Sequence, residues 1–198
     1  MTFDIHDRII IATSNAGKLR EFADLLRPYV TTVSSSGELG LPSPEETGTT
    51  FAENAIIKAK AAALACNASA LADDSGLCVT ALGGKPGIYS ARWASGSIEE
   101  AMQRIQDELG EARDRSAYFI CALALCGPDG SCDVVEGRID GTIAPTPRGA
   151  HGHGYDPIFV PNGYDTTFAE MGEDEKNAIS HRGLATKAMV EKFFARRR

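Results

Sequence analysis

Asp73 and Asp74 are adjacent carboxylates, and their pairing needs a chemical reason. Neighbouring carboxylates repel and lose hydration on burial, so proteins hold them together where a cation or a shared proton relieves them. The pair lies in Leu71-Ala72-Asp73-Asp74-Ser75-Gly76-Leu77, an apolar approach followed by acids, a hydroxyl and a glycine. One reading ends a buried strand here and puts the acids at its carboxyl end, where open α/β sheets bind ligands. The plainer alternative is a solvated Asp-Asp-Ser-Gly turn, which these residue types also favour. A second acidic pair, Glu45-Glu46, closes the Ser-, Gly- and Pro-rich stretch from Ser34 to Gly48. Loops of that length inside a compact domain are often functional, although solvation alone also accounts for their charges.

Cations that can answer these acids come from two other stretches. Thr13-Ser14-Asn15-Ala16-Gly17-Lys18 follows the β-branched run Ile9-Ile10-Ile11-Ala12 and precedes Leu19, Phe22, Leu25 and Leu26 at helical spacing. A small, polar loop between strand and helix lets a ligand approach free N–H groups at the helix start, and Lys18 adds a positive charge. Such a loop can cradle phosphate, or it can be an N-capped helix with a solvated lysine. It is not a P-loop, because Ala12 and Leu19 stand where that motif needs glycine and a hydroxyl. Further on, Thr50-Phe51-Ala52-Glu53 fits a capping box opening an alanine-rich helix to about Ala65. On that helix Asn54 and Lys58 share a face, pointing either into one cleft or into water.

The second half of the chain holds groups suited to a flat ligand. Gly149-Ala150-His151-Gly152-His153-Gly154-Tyr155-Asp156-Pro157 leaves room beside His153 and Tyr155, which can stack on a ring or occupy an ordinary turn. Lys176, Ser180, His181 and Arg182 cluster just before a terminal helix marked by Leu184, Ala188, Phe193 and Phe194, and a charged helix end explains them equally. Arg196-Arg197-Arg198 reads as a solvated tail.

The elements that must position these groups follow from periodicity. A short strand is expected at Val30–Val33. Glycine and proline shape a loop from Ala81 to Trp93, where Arg92 adjoins the only tryptophan. Ser97 and Glu100 form a second capping box for a helix with Met102, Ile105 and Leu109 inward and Gly110 as its stop. Ser116–Cys126 and Cys132–Ile143 read as two strands of a hairpin about Gly127-Pro128-Asp129-Gly130, and Ile158-Phe159-Val160 as a further short strand. A long hairpin within an α/β chain implies a mixed sheet.

Bulk properties narrow the function classes. The chain has 198 residues, 43% hydrophobic and 24% charged, which suits one α/β domain or two lobes sharing a sheet. A formal net charge of −7 argues against a general nucleic-acid surface but leaves room for a single nucleotide held in a locally basic pocket. The five cysteines are odd in number and lack Cys-x-x-Cys spacing, which predicts neither a zinc site nor a disulfide framework and favours a reducing compartment. Met1–Arg8 is charged and lacks a secretory signal's apolar core, and no run reaches the roughly 20 apolar residues of a spanning helix. A cytoplasmic location is expected.

Taken in order, these stretches resemble the inosine/xanthosine triphosphate pyrophosphatase family. The matching segments are Ala12 to Lys18 with Glu21, then Glu46-Thr47-Gly48 with Thr50-Phe51-x-Glu53-Asn54-Ala55 and Lys58-Ala59. Ala72-Asp73-Asp74-Ser75-Gly76-Leu77 and Leu82-Gly83-Gly84-x-Pro86-Gly87-x-Tyr89-Ser90-Ala91-Arg92 follow. Gly154-Tyr155-Asp156-Pro157-Ile158-Phe159 and Lys176-x-x-x-Ser180-His181-Arg182 complete the series.

The resemblance implies an α/β fold, a long curved mixed β-sheet with helices on its faces, and two lobes around a central cleft. It implies a single domain over 1–198 and a homodimer. The implied activity is magnesium-dependent hydrolysis of deaminated purine nucleoside triphosphates (ITP, dITP, XTP) to the monophosphate and pyrophosphate. Carried onto this chain, Thr13, Ser14, Asn15, Ala16, Gly17 and Lys18 hold phosphates, and Asp74 is the general base and a metal ligand. Glu46 is the second carboxylate at the metal, Lys58 adds a cation, and Ser75 contacts substrate. His153, Gly154, Tyr155, Asp156, Lys176, His181 and Arg182 line the base pocket. One departure is His153, where the family usually has Phe or Trp; histidine stacks less strongly and titrates near neutral pH. The competing expectations are a Maf-like pyrophosphatase for other modified nucleotides and a non-catalytic nucleotide-binding module.

Overall fold

Ile9, Ile10 and Ile11 are β-branched and no more than 1% exposed, as a strand covered on both faces requires. They belong to β1 (Arg8–Ile11), which pairs in parallel with β2 (Thr32–Ser35) on one side and β3 (Ser69–Val79) on the other. The computed structural model describes residues 7–13, 16–93 and 96–194, with only the backbone described at positions 16, 17, 21, 24 and 25. The expectations for Ser14, Asn15, the N-terminal segment and the three terminal arginines lie outside the described residues.

The six strands follow the order β2-β1-β3-β4-β5-β6, where β4 is Ser116–Cys126, β5 is Cys132–Ile143 and β6 is Phe159–Pro161. β6 runs antiparallel to β5, so the sheet is mixed, as the hairpin pattern predicts. β2 begins two residues later than expected, because Tyr29 and Val30 donate their N–H groups back to the Leu26 carbonyl and complete the preceding helix end.

The chain clusters into two compact units, one from 1–74, 122–136 and 188–198, the other from 75–121 and 137–187. In the first unit, α1 (Ala16–Leu26) buries Phe22 and Leu26. In the same unit α2 (Phe51–Cys66) buries Ala55, Ala59, Ala62 and Ala63, small side chains that let the helix pack closely. Thr50 caps α2: its hydroxyl accepts the Glu53 N–H at 3.1 Å, and the Glu53 carboxylate accepts the Thr50 N–H at 3.2 Å. The helix ends at Asn67 in a left-handed conformation, φ 46°.

The second unit packs α3 (Ile98–Leu109) through Met102, Ile105 and Leu109 into a core shared with Leu77, Val79, Phe119, Phe159 and Phe168. Ser97 caps α3 by accepting the Glu100 N–H, one half of the expected capping box, and Gly110 ends the helix as expected. The charged stretch after Gly172, expected to precede the terminal helix, is itself helical: it forms α4 (Glu173–Ile179), and α5 (His181–Met189) already begins at His181. A last π-helical turn spans Val190–Phe194.

Two expectations are corrected. β3 does not stop before the acidic pair but runs through Asp73, Asp74 and Ser75 to Val79, because neighbouring cations answer the carboxylates inside the sheet. Cys126 and Cys132, expected as thiols, form a disulfide across the hairpin turn. The turn brings strand ends together, which cysteine spacing alone does not reveal, and the disulfide removes the cysteine-based argument for a reducing compartment. Cys78 and Cys121 are buried as small hydrophobes. Among the described residues no helix is long and apolar enough to cross a membrane.

Because Thr50 and Glu53 hold the start of the helix carrying Asn54 and Lys58, Thr50→Ala is expected to cost about 1 kcal/mol of folding stability in urea unfolding. Unchanged stability would show that the cap contributes nothing.

Candidate active site

Two carboxylates of the first unit converge on one ammonium. Lys58 Nζ, on α2, lies 2.8 Å from Glu46 Oε1 and 3.1 Å from Asp74 Oδ1. Its side chain is only 15% exposed. α2 lies along the sheet, so a residue two turns into the helix reaches across to β3, while the long loop after β2 returns Glu46 to the same point. Asn54, one helical turn before Lys58 and fully buried, uses both ends of its amide. Its Oδ1 accepts the Gly48 N–H at 2.9 Å, and its Nδ2 donates to Asp74 Oδ2 at 3.4 Å. Gly48 has no room for a side chain, since a Cβ there would lie 2.6 Å from Asn54 Oδ1. One amide therefore anchors the loop carrying Glu46 and orients Asp74.

Asp73, next on the strand but 3% exposed, pairs with Lys18 at the start of α1. Its role, open from the sequence, is to hold Lys18. Thr13 begins the loop that Lys18 closes: its N–H donates to the Ile11 carbonyl at 3.0 Å, and its own carbonyl accepts the Ser36 hydroxyl. Ser14 and Asn15 lie outside the described residues, as do the side chains of Ala16 and Gly17.

Electrostatics separates the roles. Burial alone would lower the Lys58 ammonium, but Asp74 and Glu46 outweigh it and hold it above its ordinary value. The Asp74 carboxyl is pushed up, chiefly by burial and further by the Glu46 charge, against the opposing pull of Lys58 and Asn54. One ammonium shared between two acids stays protonated, while Asp74 receives only part of its charge. Asp74 is thus a stronger base than an exposed aspartate.

Hard oxygen donors meeting at one cation position suit a small divalent ion such as magnesium. That ion takes one or two carboxylates and fills its remaining positions with water and phosphate oxygens. Among the described residues no group of three or more His, Cys, Asp or Glu side chains forms a complete metal cage. Glu46 and Asp74 fit a metal that the ligand itself helps to hold.

In the second unit the base-pocket candidates prove to be of two kinds. Tyr155 does not lie open to stack on a ligand: it is 4% exposed in the core, and its hydroxyl donates to the Ser90 carbonyl at 2.8 Å. Burial pushes that hydroxyl's pKa up to about 12. Ser90 in turn accepts the Leu77 N–H at 3.0 Å and donates to the Gly87 carbonyl at 2.6 Å, tying the loop to the exit of β3. Asp156 is also buried, accepting the His153 N–H at 2.8 Å and pairing with Lys176. Gly152 allows the fold-over: with φ +75°, it lies where a Cβ would be 2.2 Å from Asp156 Oδ2. Lys176 also lies 5.7 Å from the centre of the Phe168 ring. His153 is exposed, Gly154, Ser75 and Arg182 are partly exposed, and His181 is buried. Ser90 was missed as an organiser, although its place in the Gly- and Pro-rich loop and in the motif shared with the resembled family pointed to it.

The Ham1 family model matches residues 9–192. The chain is 54% identical over 185 residues to a dITP/XTP pyrophosphatase of Gluconobacter oxydans, covering 92% of this chain and 89% of the relative. It is 52% identical over 194 residues to one of Rhodospirillum centenum, covering 96% of each. Among solved structures, a Ham1 protein of Coxiella burnetii superposes with TM-score 0.89 at 42% identity, covering 93% of this chain and 96% of that one. The Staphylococcus aureus Ham1 protein gives 0.86 at 42% identity, over 92% and 95%.

Lys58 favours the ionised form of Asp74, so Lys58→Met is expected to raise the Asp74 carboxyl pKa further. Carboxyl-carbon NMR titration of the metal-free protein measures this, and an unmoved or lowered midpoint would contradict it.

Proposed function

The chain belongs to the Ham1 family, and from that premise we propose that it hydrolyses deaminated purine nucleoside triphosphates (ITP, dITP and XTP) to the monophosphate and pyrophosphate. The observation that carries the reading is the Lys58 ammonium shared by Glu46 and Asp74, a charged cluster suited to a polyanion and a divalent ion. The names of the dITP/XTP pyrophosphatases that the chain resembles support the substrate class.

In this reading Lys18 and the Thr13-to-Lys18 loop hold the phosphate chain, Lys18 being preset by Asp73. Asp74, oriented by Asn54 and Lys58, takes a proton from the water that attacks the α-phosphorus. The bond from that phosphorus to the bridging oxygen breaks, and pyrophosphate leaves with the electron pair. Magnesium, held by Glu46 and Asp74 when bound, supplies neutralisation of phosphate charge. Ser75 contacts the substrate beside Asp74.

Base recognition is assigned to the second unit. Lys176, Arg182 and loop N–H groups donate to the 6-oxo group of hypoxanthine or xanthine; adenine's 6-amino group sets donor against donor. His153, Gly154 and His181 complete the surround, with Asp156 and Tyr155 holding it in shape. A cytoplasmic homodimer is part of the same reading, because the nucleotide precursors it would cleanse are a cytoplasmic pool.

Phosphate release from ITP, XTP, GTP and ATP, coupled to an inorganic pyrophosphatase, tests the assignment. ITP and XTP are expected to be preferred, EDTA to abolish turnover and added magnesium to restore it. Equal rates for ITP and ATP would refute the base-recognition scheme. Asp74→Asn removes base and metal ligand together and is expected to lower kcat by at least the roughly 10²–10⁴-fold of general-base catalysis. Near-normal turnover with magnesium present would remove Asp74 from the mechanism.

A further inference from the structure

Of the two candidate histidines, His153 is exposed and His181 only 7% exposed. An imidazole offers a donor or acceptor at each ring nitrogen, so the plane of the ring decides what it can recognise. His181 opens α5, where its side chain has no preceding turn of its own helix to lean on.

Phe119 and Gly137 bear on its position. The ring of Phe119, on β4, lies almost parallel to the imidazole, with centroids 4.7 Å apart and 12° between planes. Phe119 is itself wedged, edge-on to Phe159 at 4.7 Å and near-parallel to Phe168 at 6.1 Å. It is 6% exposed, with little freedom to shift. On the backbone side, Gly137 of β5 comes so close that a Cβ there would meet the His181 carbonyl oxygen at 2.1 Å and the Ala185 nitrogen at 2.3 Å. Any side chain at Gly137 would push the first turn of α5 away.

We propose that Phe119 is a positioning residue for base recognition: its ring, with the bare backbone of Gly137, seats His181 so that the imidazole plane is set before the purine arrives. The inference rests on the functional reading above and deepens it. An aromatic face stacked on a flat polar ring adds attraction beyond the area it buries, and a preset side chain loses less freedom when the ligand binds. Phe119 itself need not touch substrate.

Phe119→Leu keeps apolar bulk and removes the flat face; Phe119→Met is a second variant with a smaller packing loss. KM for ITP is expected to rise roughly three- to tenfold, the range such an aromatic pair supports, with kcat within about twofold of wild type. Inhibition by inorganic tripolyphosphate, which carries a phosphate chain without a base, is expected to keep its Ki. Ile105→Ala, in the same core from α3, is expected to lower stability without raising KM. The His181 ring-proton resonance, shielded by the Phe119 face, is expected to move downfield in both Phe119 variants. An unchanged KM, a parallel loss of tripolyphosphate binding, or an equal KM rise in Ile105→Ala would reduce Phe119 to a packing residue and overturn the inference. If the wild-type protein fails to turn over ITP, the functional reading falls with it; turnover with unchanged KM in Phe119→Leu overturns the positioning role alone.

Discussion

Burying one lysine between two carboxylates is the constraint around which the first unit is built. An isolated carboxylate or ammonium in a poorly hydrated site is costly, and each member here is tolerable only because the others are present. Lys58 must therefore come from a rigid helix, Asp74 from a strand, and Glu46 from a loop pinned by the Asn54 amide. The alanine-rich face of α2 follows from the same need: small side chains bring the helix near enough for a lysine to reach the strand. Asp73 and Lys18 repeat the arrangement one residue earlier on β3. The two acids pair with different cations, Lys18 and Lys58, while the Asp73 charge also helps hold the Lys58 ammonium protonated.

The second unit solves a different problem. A loop rich in glycine is held in shape by spending its Tyr155 and Asp156 side chains on its own architecture. Tyr155 reaches Ser90, and Ser90 reaches the β3 backbone at Leu77. Asp156 holds the His153 backbone and the Lys176 ammonium together. These anchors fix the positions of the exposed His153 and of the Lys176 ammonium, while His181 is stacked on Phe119.

The hairpin shows how a correct element can still carry a surprise. β4 and β5 and their turn lie where the alternation and Gly-Pro-Asp-Gly residues put them, yet the cysteines flanking that turn are joined. Disulfide pairing depends on which residues face one another across the strands, and that register is a property of the folded sheet.

Local rules carried much of the fold in this chain. The capping box at Thr50, the N-cap at Ser97, the stop at Gly110, the β-branched run of β1 and the hairpin are written in residues within one turn or one strand of each other, where short-range sterics and hydrogen bonding decide. The acidic pair, Glu46 and the lysines likewise singled out residues that the fold brings into ion pairs. Tertiary structure alone decided that β3 continues through Asp73 and Asp74, that Asp73 serves Lys18, and that Tyr155 faces inward. It also set the Phe119 face against His181. These depend on partners 16, 55, 62 or 65 positions away, and a charge or a ring takes its role from the group that answers it across the fold.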